Sequence, residues 1–167
     1  MAGGEGSEHG SGWVLLSYRL PREPSTPRIS VWRKLKRLGV AQLGDGLAAL
    51  PHDARTREQL EWLAEEVVQA GGTAMVWVGR PTAASAEGEL AASLAAARAA
   101  EYLDVVAEAT GSLGLDQAGR RAAARRLRQE LHRIHRRDYF PPPERERARA
   151  AVADLAGERH QDAREPA

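Results

Sequence analysis

The sequence predicts an α+β fold: a ferredoxin-like βαββαβ antiparallel sheet over residues 13–81, with a helical part appended over 82–156 that packs on it. Three observations predict it. Short apolar runs of strand period alternate with capped, helix-period segments between Trp13 and Val78. An Asp-Gly dipeptide sits between two of those runs, as in a tight hairpin. After Arg80-Pro81 the composition changes to alanine-rich and arginine-rich segments with glycine and proline punctuation. The order β-α-β-β-α-β within one small domain is the ferredoxin-like arrangement.

Residues 1–12 are Gly/Ser-rich and read as a mobile tail. Trp13–Leu20 reads as the first strand. Val14, Leu16, Tyr18 and Leu20 share one face, and Trp13, Leu15, Ser17 and Arg19 the other. Both faces are substantially apolar, so cover is expected on both, with Met75 and Trp77 joining Trp13 and Leu15 on the second. A proline-bracketed loop follows. Ser25 or Thr26 suits a helix N-cap and Pro27 its first turn. Val31, Trp32, Leu35 and Leu38 form the expected buried stripe, and Gly39 the stop. Val40–Leu43 and Leu47–Leu50 flank Gly44-Asp45-Gly46, a hairpin of type I′ expectation. Thr56-Arg57-Glu58-Gln59 matches a capping box. The second helix then buries Leu60, Leu63, Ala64 and Val67 and puts Trp62 outside. Thr73–Val78 is the fourth strand.

Thr82–Ala86 reads as a linker of small residues. Glu87 to about Thr110 is a helix anchored by Leu90, Leu94, Leu103 and Val106. Asp116 caps a helix reaching about Arg137, with the stripe Ala123, Leu127, Leu131, Ile134. The prolines after Phe140 end it, a charged helix spans Glu144 to Ala156, and 157–167 read as a polar tail.

At 167 residues and 43% hydrophobic, the chain holds one domain with an appendage, and a real core. Without cysteine there is no disulfide, thiolate nucleophile or cysteine-ligated metal. The start lacks a secretory signal, and no run is long enough to span a bilayer, so a cytoplasmic protein without membrane contact is expected. No P-loop, G-x-S-x-G, HExxH or dinucleotide fingerprint occurs, and the first strand carries no carboxylate for a nuclease metal. An enzyme and a cofactor are therefore not expected.

The net charge of +1 hides a segregation. Eight arginines and one acid, Glu130, lie between Arg120 and Arg137, while Glu58 to Glu66 holds four glutamates and no base. Arg120, Arg121, Arg125, Arg128, Arg133 and Arg136 are candidates for contacts to nucleic-acid phosphates. The alternative is a face paired with the acidic helix at 58–66, or with Glu101, Asp104 and Glu108. The sequence pI of 8.2 is low for a dedicated nucleic-acid module. Arg19, Arg22, Arg28, Arg33, Lys34 and Arg37 are candidates for binding an oxyanion, because arginine forks fit tetrahedral oxyanions; a solvated helix face explains the same residues. His132, His135 and Asp138 have helical spacing but lack a further ligand and are crowded by arginines, so no metal is expected. Arg98 and Glu101 read as a pair at helical spacing, on the surface unless that face packs.

The stretch WVLLSYRLPREPSTPRISVWRKLKRLG, then GVAQLGDGLAALP and TREQLEWLAEEVVQAGG, resembles the N-terminal domain of the chromate resistance protein ChrB family. AARAAEYLDVVAEA and RRDYF are similar to later helices of that family, so the resemblance runs from Trp13 to Phe140. It implies a cytoplasmic, chromate-responsive regulator of an efflux operon. Full-length members carry a further C-terminal domain, for which this chain has no room. The carry-over covers Arg19, Arg22, Arg28, Trp32, Arg33, Lys34 and Arg37, and Arg137-Asp138-Tyr139-Phe140.

The sequence thus points to a non-enzymatic regulator of a chromate or oxyanion response. Its expected partners are DNA, a chromate-like oxyanion and a second copy in a homo-oligomer. The alternatives are an oxyanion-binding module without DNA contact, or a structural dimerisation domain suggested by Trp62 and the second sheet face.

Overall fold

The computed structural model describes residues 12–157. Of the two tails expected from the sequence, 1–12 and 157–167, all but residues 12 and 157 lie outside the described residues. The chain divides into two compact units, Met1–Leu90 and Ala91–Ala167. Among the described residues no helix is long and apolar enough to cross a membrane.

The first unit is built as β1 (Trp13–Arg19), α1 (Thr26–Leu38), β2 (Ala41–Gly44), β3 (Leu47–Pro51), α2 (Ala54–Gln69) and β4 (Thr73–Gly79). The four strands form one antiparallel sheet in the order β2-β3-β1-β4. β1 is an inner strand, paired with β3 on one edge and β4 on the other. Trp13 opposes Pro51 on one side and Gly79 on the other, and Leu16 opposes Ala48 and Val76. α2 packs on β1 and β4, with α1 beside it. On one face of the sheet Val14, Leu16, Ala48 and Leu50 are fully buried; from the helices Val31, Leu35, Leu60, Leu63 and Val67 are buried. Each of these valines and leucines contributes roughly 1.5–3 kcal/mol over its exposed state.

The second face is only partly hidden. Trp13 and Ala49 are buried there, but Met75 and Trp77, expected under cover, are half exposed. They sit on β4, an edge strand with a neighbour on one side only. The Trp77 indole N–H instead donates to Ser17 Oγ across the ladder at 3.0 Å.

Local chemistry explains the element ends, and corrects three expectations. Gly39 stops α1 at φ 70°, its N–H donating to the Leu35 carbonyl at 3.1 Å. Trp32 is 55% exposed rather than buried. It lies a hundred-degree step beyond Val31, and the Lys36 ammonium sits over its ring, 4.8 Å from the centroid. The hairpin turn is not type I′: Gly46 alone takes positive φ, 81°, and Asp45 does not. The ladder absorbs the difference in an irregularity between Gln42 and Gly44.

The capping box of α2 starts one turn earlier than expected. Asp53 is the N-cap; its carboxylate accepts from Thr56 N–H at 2.7 Å, and Asp53 N–H donates to Thr56 Oγ1 at 3.0 Å. Thr56 is the reciprocal partner, fully buried, and its hydroxyl donates to the Pro51 carbonyl at 2.6 Å. Thr56 thereby ties the end of β3 to the start of α2. Thr56→Val keeps the shape but leaves these buried groups unpaired, so a loss of about 1–3 kcal/mol is expected in urea unfolding. A midpoint equal to wild type would show that the hydroxyl contributes nothing.

The second unit contains most of α3 (Ala84–Gly111), then α4 (Gln117–His135) and α5 (Glu144–Ala156). α3 begins inside the segment expected to be a linker. Asp116 caps α4, its side chain accepting from Gly119 N–H at 2.7 Å. The core joins Tyr102, Val105 and Ala109 of α3 to Ala123, Leu127 and Ile134 of α4 and to Ala148, Val152 and Leu155 of α5. Leu103, expected as an anchor, is exposed. The buried stripe runs through Leu94, Arg98, Tyr102, Val105 and Ala109, and Leu103 falls one residue off it.

Candidate functional site

α4 carries its charge on two distinct sides because its apolar stripe leaves the rest of the cylinder polar. One side faces α3 and is neutralised. Arg126 pairs with Glu108, and Arg137 Nη2 lies 2.9 Å from Glu101 Oε2. Arg133 pairs with Glu130 of its own helix. These groups, with Asp104, line a groove between α3 and α4 floored by Val105, Leu127 and Ile134. Four carboxylates and three arginines share it, so it offers no net attraction to an anion.

The other side is cationic. Arg121, Arg125, Arg128, His132 and Arg136 follow one another at helical spacings of three and four, and all are exposed. No acidic residue of α4 falls on this line, and Arg121, Arg125 and Arg136 make no ion pair among the described residues. Of the six arginines singled out on this helix, Arg121, Arg125, Arg128 and Arg136 therefore share one face. Arg133 is taken by Glu130, and Arg120 is half-buried in the first turn.

In the first unit the candidates are more dispersed. Arg19 ends β1 and Arg22 lies in the following bends, both exposed. Arg28, Arg33 and Arg37 are exposed on α1. Lys34 forms an ion pair with Glu66 of α2, whose other oxygen accepts from Ser30 Oγ at 3.1 Å. One of the six is thus engaged in holding α1 to α2.

A buried polar cluster in the second unit was legible only in part. Arg98 stands on the buried stripe of α3, its side chain 9% exposed, with Nη2 donating to Glu101 Oε1 at 3.2 Å. The surface-pair expectation for Arg98 fails because its face is the packed one. The side chain of Asp138, just beyond α4, is fully buried. Its Oδ2 accepts from the Tyr102 hydroxyl at 2.8 Å and lies 3.8 Å from Arg145 Nη1. Burial, and then the bond to Asp138, push the Tyr102 hydroxyl well above its ordinary value of 10.0. Burial pulls Arg98 down, opposed by Glu101. Arg98 Nε and Nη1 and Arg137 Nε lack hydrogen-bond partners among the described residues, and so does the acceptor Asp138 Oδ1; Glu101 Oε2 is held by Arg137. Orphan donors beside an orphan acceptor suit ordered water, and the two carboxylates repel a dianion. One signal was available: Arg98 and Tyr102 continue the spacing of Leu94.

His132 and His135 are exposed while Asp138 turns inward to Tyr102. Among the described residues no three metal-binding side chains converge.

The family described as "Protein ChrB, N-terminal" matches residues 28–112. Protein ChrB of Cupriavidus metallidurans is 31% identical over 133 residues, which is 77% of this chain and 40% of that protein. The chain thus spans about two-fifths of the length of that curated relative. No solved structure matches it significantly. The family match covers β2, β3, α2, β4, α3 and nearly all of α1, half of the chain's length, so the chain belongs to the ChrB N-terminal family.

Proposed function

We propose that this protein is a cytoplasmic, chromate-resistance-associated transcriptional regulator, and that the outer face of α4 contacts DNA phosphates. The observation that carries the reading is the α4 stripe. Arg121, Arg125 and Arg136 remain unneutralised after the carboxylates of the groove have paired with the other arginines. Evenly spaced guanidinium groups along one helix face suit a polyanionic backbone better than a single small ion. Family membership supports the link to chromate resistance, with chromate or a similar tetrahedral oxyanion as the signal. Arg19, Arg22, Arg28, Arg33 and Arg37 are the candidates for that ion. We also read the sheet unit as ferredoxin-like, supported by its βαββαβ order and by the strand order, which from the β4 edge runs β4-β1-β3-β2. No enzymatic step belongs to this reading.

The test is fluorescence anisotropy on a duplex from the gene's own promoter, between about 50 and 200 mM salt. Each neutralised phosphate adds about −0.9 to the slope of log affinity against log salt, so three arginines predict a slope near −3. R121E/R125E/R136E should abolish binding at the lowest salt. No binding by wild type at low salt, or equal binding by the triple variant, would sink the DNA reading. Affinity indifferent to added chromate would remove the oxyanion half.

A further inference from the structure

We propose that β4 is a dimerisation edge: two copies of this chain pair their β4 strands antiparallel about a two-fold axis at Val76, joining two four-stranded sheets into one of eight strands. β4 is seven residues long, TAMVWVG, with no charge and no proline. It pairs with β1 in unbroken register from Thr73 to Gly79 on one side. On its other side it makes no backbone hydrogen bond among the described residues. Proteins ordinarily defend such edges with charges, proline, bulges or brevity. The opposite edge of this sheet is defended in that way, since β2 has four residues and an irregular register. β4 has none of these defences, and Met75, Trp77 and Val78 on it are 54%, 53% and 57% exposed.

The occupant follows from the strand's own symmetry. With the axis at Val76, Met75 stands opposite Trp77 of the second copy, and Trp77 opposite its Met75. Both pairs lie on the same face of the joined sheet. A thioether against an indole is a favourable pair, and directly opposed residues bring their Cβ atoms to about 4.5–5.5 Å. Ala74 meets Val78, and Thr73 meets Gly79, so all seven residues are used. Arg80, the first charge past the strand, falls opposite Gly72 rather than another cation. Moving the axis to Trp77 would leave Thr73 and Ala74 without partners and shorten the ladder.

Sedimentation equilibrium of the whole chain, with two double variants, tests this. Both variants change half-exposed side chains, and circular dichroism checks that they fold. In M75K/W77K each new lysine opposes another across the axis, and the dimer should weaken more than about tenfold. In M75K/W77E each lysine opposes a glutamate, and the dimer should persist. On wild type, β4 amides should exchange hydrogen more slowly at concentrations where the dimer forms than where it does not. A wild type that stays monomeric at every concentration overturns the proposal. So do double variants that behave alike, or β4 exchange that ignores concentration.

Discussion

Asp138→Ala is expected to destabilise the helical unit by about 2–4 kcal/mol, from leaving the Tyr102 hydroxyl unpaired in the interior together with a cavity. The Asp138 side chain is fully buried, and its carboxylate is the acceptor for the Tyr102 hydroxyl and a counter-charge of the partly exposed Arg145. Alanine would leave both without it and open a void where packing is dense. Asp138→Asn keeps an acceptor for Tyr102 but loses the charge, so it should cost less. Urea unfolding read at 222 nm measures both; wild-type stability in Asp138→Ala would show that the cluster is incidental. The same bond predicts an alkaline limit. Tyr102 titrates above its ordinary value of 10.0 in the folded chain. Its contribution is therefore complete below pH 10 and is lost as pH rises towards the raised folded value, because the unfolded chain gives up that proton first. Tyr102→Phe should flatten the fall of stability above pH 10; an unchanged slope would count against the bond.

Gly46→Ala is expected to cost at least about 3 kcal/mol, from left-handed strain together with a broken hydrogen bond. Gly46 holds φ at 81°, and an added Cβ would sit 2.2 Å from the Tyr18 carbonyl oxygen, a backbone atom that cannot move alone. The hairpin tip is docked there, since Tyr18 N–H donates to the Gly46 carbonyl at 2.8 Å. Gly44→Ala is the control: its Cβ meets nothing within 4 Å, and its φ is not positive. All four tryptophans lie in the sheet unit, so their fluorescence during urea unfolding reports the change. Equal midpoints for the two variants would show that the tip does not need glycine.

The elements were legible wherever the chain carries local punctuation. Gly39 ends α1 and Asp116 starts α4 through bonds to residues three or four away, and such bonds need no tertiary knowledge. Of the stripe Ala123, Leu127, Leu131, Ile134, three lie inside as the spacing foretold, and Leu131 is partly buried against them. Thr56 misled because Asp53, three residues earlier, competes for the same cap, and Thr56 is the partner in that box. Trp32 misled because size and apolarity place a residue near the core, whereas its angle on the helix sets it outside.

The candidate site was legible as composition but not as arrangement. The excess of arginine in α4 is plain in the sequence. Which arginines are ion-paired was decided by Glu108 and Glu101 of α3 and by Glu130. Nor does the spacing of Arg98 and Asp138 bring them to one buried cluster; the packing of α3 against the segment after α4 does.

By itself the sequence determined the α+β class, most helix boundaries and the family, because caps, periodicity and turn residues act over a few positions. Only the tertiary structure decided which charges are neutralised, which apolar residues stay exposed and which strand is left at an edge. Those depend on side chains far apart in the chain, which the backbone alone brings within reach.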